Sequence, residues 1–511
     1  MSAAEQGQDA DPEVTTTTDE QIIQEGKPLW SPTGNFWKDF LFFSGPGWFV
    51  SVAYIDPGNF QADIQAGATS RYSLLFVLWW TGMLSIYVQV LCVRLAFHSK
   101  LTLAEAMARV YPTRRKRYIN WMIAEFSTMI TDLPTVVGFA IAIQYFIGLP
   151  YYAGVLLSLV TTMVFLASMS YGMRILEVVV CIFVAIMSIA LWIEMAYVGP
   201  NSAELFKGWA IGVVDVTGDD LFSIAGILGA VVMPHNLYLH SAAVQDRTKE
   251  IKQDAETRQT AIKFCSFEPI PPIILTFFVN MAVVSISAES VYGTEAAGSV
   301  GLTDFCSYFK SLPAGCTLWA IALLSAGQSS AITTTYTGQY VMNGYLQLQM
   351  PMWLRAVITR VVAILPGIVC AILFPSKLNQ MINFVNALLG LLLPFAFTPL
   401  VKFNCSESIM GGNASRGVEK FLLYVFALAV WAVNALTLSL PGGGFFGDVA
   451  PNTQFERVAL VIVQTGVQVL YALWNFSILS RPVSIDTSNV DQVGQPLPPM
   501  GYERQSLPNI T

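Results

Sequence analysis

The sequence predicts an all-α polytopic membrane protein of about twelve helices, and three observations carry that expectation. Of 511 residues, 54% are hydrophobic and only 12% are charged, against about 25% charged in a typical soluble domain. The apolar residues run in stretches of roughly 20, the length at which a helix crosses a hydrocarbon core. Strands of about ten alternating residues, which a closed barrel would need, do not appear. Backbone groups in lipid must therefore be satisfied within helices.

Apolar spans fall near 41–68, 72–97, 118–147, 150–169, 175–198, 221–245, 269–289, 316–346, 353–374, 378–401, 419–440 and 456–479. Residues 1–36 are polar and acidic and read as a disordered tail, as do the Pro-rich residues 481–511. Between them lie a core, 37–401, and two further helices within 402–480. No cleavable leader is visible.

Lys and Arg in short loops set orientation. The loop after span two holds Lys100, Arg109, Arg114, Arg115, Lys116 and Arg117; the loop after span six holds Arg247, Lys249, Lys252 and Arg258. Odd connections instead hold Glu204, Asp215, Asp219, Asp220, Glu295 and Asp304. Both termini are thus expected in the cytosol. No basic patch with interleaved aromatics suggests a nucleic-acid partner; the partners expected are the bilayer, divalent ions and protons, with the chain a monomer. Of seven cysteines, Cys92, Cys181 and Cys370 sit in apolar runs as small core residues. Cys306 and Cys316 share one extracytoplasmic loop, where a disulfide could form. The sequons at Asn404, Asn413 and Asn509 fall on the cytosolic side and are expected to be unused.

Two spans are interrupted in mid-membrane. Span one carries Asp56, Pro57, Gly58 and Asn59; span six carries Met233, Pro234, His235 and Asn236. Proline removes a backbone donor and glycine tolerates non-helical angles. One proline kink is ordinary in a membrane helix. Two breaks five helices apart, each beside coordinating groups, are the trace of an inverted five-helix repeat (about 41–198 and 221–401) with a midplane site.

A carboxylate at the bilayer centre is costly and marks function by default. Asp56 supplies anionic oxygen and Asn59 an amide oxygen. Carbonyls freed by the breaks, those of Ala53 and Ala230, add more. Met233 adds a thioether, which favours Fe2+, Mn2+, Co2+ or Cd2+ and gives nothing to calcium or magnesium. Two of the three histidines, His235 and His240, lie on span six; His235 suits proton handling or structural hydrogen bonding, and His240 fits a buried structural role equally well. In span three, Glu125 and Asp132 are two turns apart on one face, as a proton relay needs. Arg355 and Arg360 in span nine could neutralise them; the bland alternative leaves Glu125 and Arg355 solvated at span ends.

With AYIDPGNFQADIQAGA (53–68), VMPHNLYLHSA (232–242) and GQSSAITTTYTGQYVMNGYL (327–346), the chain resembles the NRAMP family of proton-coupled divalent-metal transporters, from Gly45 to about residue 401. The resemblance implies a leucine-transporter-like fold of two inverted five-helix repeats plus two C-terminal helices. It implies Mn2+ or Fe2+ uptake into the cytosol with a co-transported proton, across the plasma membrane or an acidic endosomal or vacuolar membrane. It puts metal ligands on Asp56, Asn59, Met233, Ala53 and Ala230, and a proton path on Glu125, Asp132 and His235 with a span-nine arginine. Thr135 stands where the family usually has a second acid. Asn386 stands where it commonly has glutamine.

Competing readings are a broad or weakly coupled divalent carrier that includes Mg2+, and a metal-sensing receptor. HExxH and GxSxG are absent from the sequence, so an intramembrane enzyme is not expected, nor is a resident cofactor: metal and proton are cargo.

Overall fold

The computed structural model describes residues 29–44, 54–111, 113–168, 173–212, 218–309, 314–348, 350–439, 454–480 and 483. Among these residues the chain is helical, with one isolated bridge pairing Trp30 with Ile251. Among the described residues nine helices are long and apolar enough to cross a bilayer, and residues 151–164 and 188–198 are shorter apolar helical stretches. Ala53, Asn509 and the segment from Gly45 to Gly47 lie outside the described residues, as do residues 1–28 and the side chain of Cys181.

In chain order the helices of eight residues or more are α1 (Phe36–Phe43), α2 (Pro57–Ser70), α3 (Leu75–Ser99), α4 (Leu103–Val110), α5 (Arg114–Ile147), α6 (Tyr151–Ser168), α7 (Met173–Val198), α8 (Ser202–Ala210), α9 (Gly218–Val232), α10 (Pro234–Arg247), α11 (Ala255–Phe267), α12 (Ile270–Ser290), α13 (Gly315–Leu346), α14 (Met352–Leu373), α15 (Leu378–Leu392), α16 (Pro394–Asn404), α17 (Gly417–Ser439) and α18 (Gln454–Ser480).

Local chemistry explains the boundaries that matter. Asp56 ends the irregular stretch before α2 and caps it, accepting from the Asn59 N–H at 2.7 Å. An uncapped first turn would leave orphan donors in a dry environment. Pro57 occupies the first helical position, where its missing N–H costs nothing. The second break falls at Met233, between Val232 and Pro234. Thr102 and Glu105 close α4 with a reciprocal capping box.

Span ten, expected over 378–401, is one apolar span from Pro375 to Asn404, made of two consecutive helices that part at Leu393, before Pro394, which has no N–H to continue the ladder. Part of the segment expected to be a tail packs on the protein: Trp30 is buried, its backbone N–H donating to Glu250 O at 2.9 Å.

In lipid, helices gain little from hiding apolar surface and associate through close packing instead. The half-helix after Asp56 meets the second broken span directly: α2 packs on α9, and α15 packs on both. The α9–α15 crossing is tight because Gly229 and Gly390 face it. A Cβ on Gly229 would fall 2.1 Å from Asn386 O, and one on Gly390 would fall 2.5 Å from Ala225 O. Beyond the second break, α10 packs on α3, α13 and α5. The long helices α5 and α13 run against each other, and α13 buries Ser329, Ser330, Thr333, Thr334 and Thr337.

The bond between Cys306 and Cys316 is formed, at an S–S distance of 2.06 Å. Cys92 is a core residue as expected, whereas Cys370 is only half buried. Asn404 cannot accept a glycan: it is buried, and its amide donates to Leu91 O and Leu400 O. Where α18 returns to the core, the Lys402 ammonium donates to Ile478 O in its last turn, where carbonyls lack helical partners.

Candidate functional site

A proline that opens a helix frees a carbonyl by simple arithmetic. In an α-helix the carbonyl of residue i accepts from the N–H of residue i+4. For Ala230 that residue is Pro234, which has no N–H. For Ala53 it is Pro57, although Ala53 itself is outside the described residues. Met233 then takes a φ of 34°, which a side chain other than glycine rarely adopts. Such a conformation costs about 1–3 kcal/mol and persists only where its surroundings impose it. Here it sets a buried thioether between two half-helices.

Asp56 and Asn59 are each about 1% exposed. The Asn59 amide donates to Asp56 Oδ1 at 2.7 Å, and the Asn59 backbone N–H donates to the same oxygen at 2.7 Å. That geometry orients the amide and leaves Asn59 Oδ1 buried with no hydrogen-bond partner. An orphan buried acceptor is costly, and a cation removes the cost. Asn386 joins from α15. Its amide donates to Gly58 O at 2.7 Å, and a Cβ on Gly58 would stand 3.0 Å from Asn386 Oδ1 and 3.4 Å from Asp56 Oδ2. The Asp56 carboxylate and the Asn386 amide therefore flank the same glycine. Ala230 is fully buried on the neighbouring α9.

An ion shared by the two breaks would meet an anionic oxygen, amide and carbonyl oxygens and a sulfur. Among the described residues no three His, Cys, Asp or Glu side chains cluster as a conventional metal cage. Softer divalent ions suit the mixed set better than hard ones.

The second group sits on α5. Glu125 forms a buried ion pair with Arg355, and Asp132 Oδ2 lies 3.1 Å from Arg360 Nε. The Asp132–Arg360 contact is a charge pair whose alignment is not that of a hydrogen bond, since both atoms lack one. Thr334 of α13 donates to Asp132 Oδ1 at 3.1 Å. The solvated alternative for Glu125 and Arg355 is thereby corrected: both side chains are about 5% exposed or less. Gly338 makes the pairing possible, because a Cβ there would fall 2.3 Å from an Arg355 guanidinium nitrogen.

His235 is fully buried, with Nδ1 3.3 Å from Thr131 Oγ1 on α5 and Nε2 without a partner. Its ring thus links α10 to the acidic helix. His240 is buried with neither ring nitrogen partnered. Thr135 donates to Ser330 Oγ at 3.0 Å.

Sequence reasoning missed three features. Asp63, two turns after Asp56, is 1% exposed, and its Oδ2 has no partner; the seven-residue spacing that singled out Glu125 and Asp132 would have found it. Tyr54, just before the first break, shares a 2.5 Å hydrogen bond with Ser85 and accepts from Gln89 at 2.7 Å. Thr334 gave no signal beyond lying in a hydroxyl-rich helix.

The chain is similar to known transporters in sequence and in fold. A family model described as Nramp, natural resistance-associated macrophage protein-like, matches residues 47–440. The chain is 35% identical over 461 residues to "Metal transporter Nramp3.1" of Populus trichocarpa, covering 88% of this chain and 90% of that protein. It is 40% identical over 431 residues to "Metal transporter nramp1 homolog" of Dictyostelium discoideum, covering 81% and 79%. A solved structure of the Eremococcus coleocola manganese transporter, in complex with an aromatic bis-isothiourea substituted compound, superposes with a TM-score of 0.74 at 26% identity, covering 88% of this chain and 96% of that one. The closed conformation of Mhp1, a nucleobase-cation-symport-1 family transporter, shares the fold at a TM-score of 0.50 and 15% identity, covering 86% and 94%.

Proposed function

The chain belongs to the natural resistance-associated macrophage protein-like family of metal transporters, and from that premise we propose that it carries Mn2+ and Fe2+ into the cytosol with a co-transported proton. The ion is held between the two broken helices by Asp56, Asn59 and Met233 with the carbonyls of Ala53 and Ala230, and Asn386 closes over it from α15. Alternating access follows from rocking of the two repeats around this fixed point.

One observation carries the reading. Asn59 spends its amide on Asp56 and keeps its own oxygen buried and unpaired, 1% exposed at a helix break. A divalent cation satisfies that oxygen and the Asp56 charge together. The single charged ligand also explains why other groups must handle the proton. His235, Asp132 and Glu125 form the path from the site toward the cytosol, with Arg360 and Arg355 as their counter-charges. His240 extends it along α10. Both termini face the cytosol, and the chain acts as a monomer in the plasma membrane or an acidic endosomal or vacuolar membrane.

A second reading, a weakly coupled carrier that also takes Mg2+, is favoured by Thr135, whose hydroxyl donates to Ser330 and carries no charge. Uptake into proteoliposomes with competing Mn2+, Fe2+, Mg2+ and Ca2+ at two external pH values separates the two. Tight symport requires metal entry to acidify the lumen. Entry at full rate with no acidification leaves the weakly coupled carrier.

A further inference from the structure

The α5 helix opens with four consecutive cations, Arg114, Arg115, Lys116 and Arg117, and no acid in its first turn. Several other cations on the expected cytosolic face are matched. Arg94 pairs with Glu419, Arg247 with Glu250, Lys249 with Asp246 and Arg416 with Glu407. Arg258 donates to Phe97 O at 2.6 Å. Among the described residues the four α5 cations have no carboxylate within ion-pair distance. Arg114 instead lies over the Tyr118 ring, at 5.8 Å to the centroid.

The next two turns of the helix fix the depth of the cluster. Tyr118, Met122 and Phe126 recur every fourth residue and are 37%, 52% and 46% exposed. In a helix that spacing is one face, and an exposed apolar face on a membrane helix meets acyl chains. The cations sit one turn above the point where that face begins, at headgroup level. Tyr118 marks the interface, where an amphipathic ring is at home. The free N–H groups of the first turn add a positive dipole end, and Thr113 makes no side-chain cap to them.

We propose that Arg114, Arg115, Lys116 and Arg117, with Tyr118, bind the phosphate-bearing headgroup of an anionic phospholipid in the cytosolic leaflet. The ligand is a lipid because the charge is continuous with a lipid-facing stripe on the same helix. The proposal rests on the sidedness given under Proposed function. The rival occupant is the chain's own N-terminal segment, with seven acids and one lysine in residues 1–28.

The test uses the full chain in nanodiscs of phosphatidylcholine containing about 20 mol% phosphatidylserine, with retained lipid read by native mass spectrometry. The wild type should hold phosphatidylserine against a rise in salt that leaves phosphatidylcholine unchanged. The combined Arg114→Gln, Arg115→Gln, Lys116→Gln, Arg117→Gln variant should retain at least about tenfold less, since each surface cation contributes about a fivefold preference and any two of the four already exceed that figure. A second variant, Arg114→Lys, Arg115→Lys, Arg117→Lys, keeps the charge and should retain the lipid, which separates charge from misfolding. Equal phosphatidylserine retention by the wild type and the glutamine variant overturns the proposal. So does a crosslink from residues 1–28 to Lys116 that persists in the presence of phosphatidylserine. Sidedness is read separately by an impermeant maleimide on Thr113→Cys in cells. Labelling from outside refutes the orientation, while nanodisc retention still decides whether the cluster holds a headgroup.

Discussion

Arg360 Nε stands 3.1 Å from Asp132 Oδ2, with both side chains about 2% exposed or less. A buried ion pair is modest evidence for stability, but removing one partner strands the other. Arg360→Met should therefore destabilise the protein by about 3–5 kcal/mol. Adding Asp132→Asn should recover part of that loss. Thermal unfolding of the two single variants and the double variant closes the cycle; strictly additive losses would show that the two charges do not interact.

Asp56 both caps α2 and carries the only charge among the proposed ligands. Loss of a cap costs about 1 kcal/mol, so Asp56→Ala alone would mix two effects. Asp56→Asn keeps a side-chain acceptor for the Asn59 N–H and removes the charge. Both variants should lower Mn2+ uptake by roughly 100-fold or more, the loss of a charged contact worth about 3 kcal/mol. Substantial uptake by Asp56→Asn would show that charge at this position is dispensable.

Met233→Ala should keep part of the Mn2+ flux while admitting Ca2+ or Mg2+, because a site stripped of sulfur offers oxygen alone. The measurement is competition between ions in one vesicle preparation. An unchanged ion ranking would remove the thioether from the selectivity argument.

Gly229 lies where a Cβ would fall 2.1 Å from Asn386 O. Gly229→Ala should push α9 away from α15, costing about 1–3 kcal/mol as an overpacked contact, and should displace Asn386 from Gly58. Lower uptake with a higher KM for metal is expected. A variant with wild-type stability and KM would mean that the two helices adjust freely.

The Cys306–Cys316 bond ties the start of α13 to a loop that reaches two other helices. Leu302 N–H donates to Gln61 Oε1 at 3.0 Å, and Asn379 Nδ2 donates to Thr303 Oγ1 at 2.9 Å. Cys306→Ser with Cys316→Ser should cost about 2–4 kcal/mol, read as a lower Tm. Reductant should lower the Tm of the wild type and leave that of the double variant unchanged. A reductant effect in the double variant would point to another source.

Much of the site is legible in the chain itself. The two breaks, the freed Ala230 carbonyl and the helix starts at Pro57 and Pro234 follow from a missing proline N–H, whose effect reaches four residues at most. The placing of Glu125 and Asp132 on one face follows from helical period alone. Asp63 obeys the same rule relative to Asp56, two turns along α2.

What the sequence by itself determined is local: span lengths set by hydrocarbon thickness, breaks set by proline, and the proposed donors, written in two short motifs. The tertiary structure decided which distant partners meet. Glu125 takes Arg355 and Asp132 takes Arg360; Asn386 reaches Gly58 from 328 residues away. Span ten divides into two helices before Pro394, although the proline itself stands in the sequence, since many membrane helices carry a proline without dividing. The physical reason is range. Backbone hydrogen bonding acts within one helical turn, whereas these meetings depend on how closely helices approach, and that depends on glycines such as Gly229 and Gly338 facing the right neighbour.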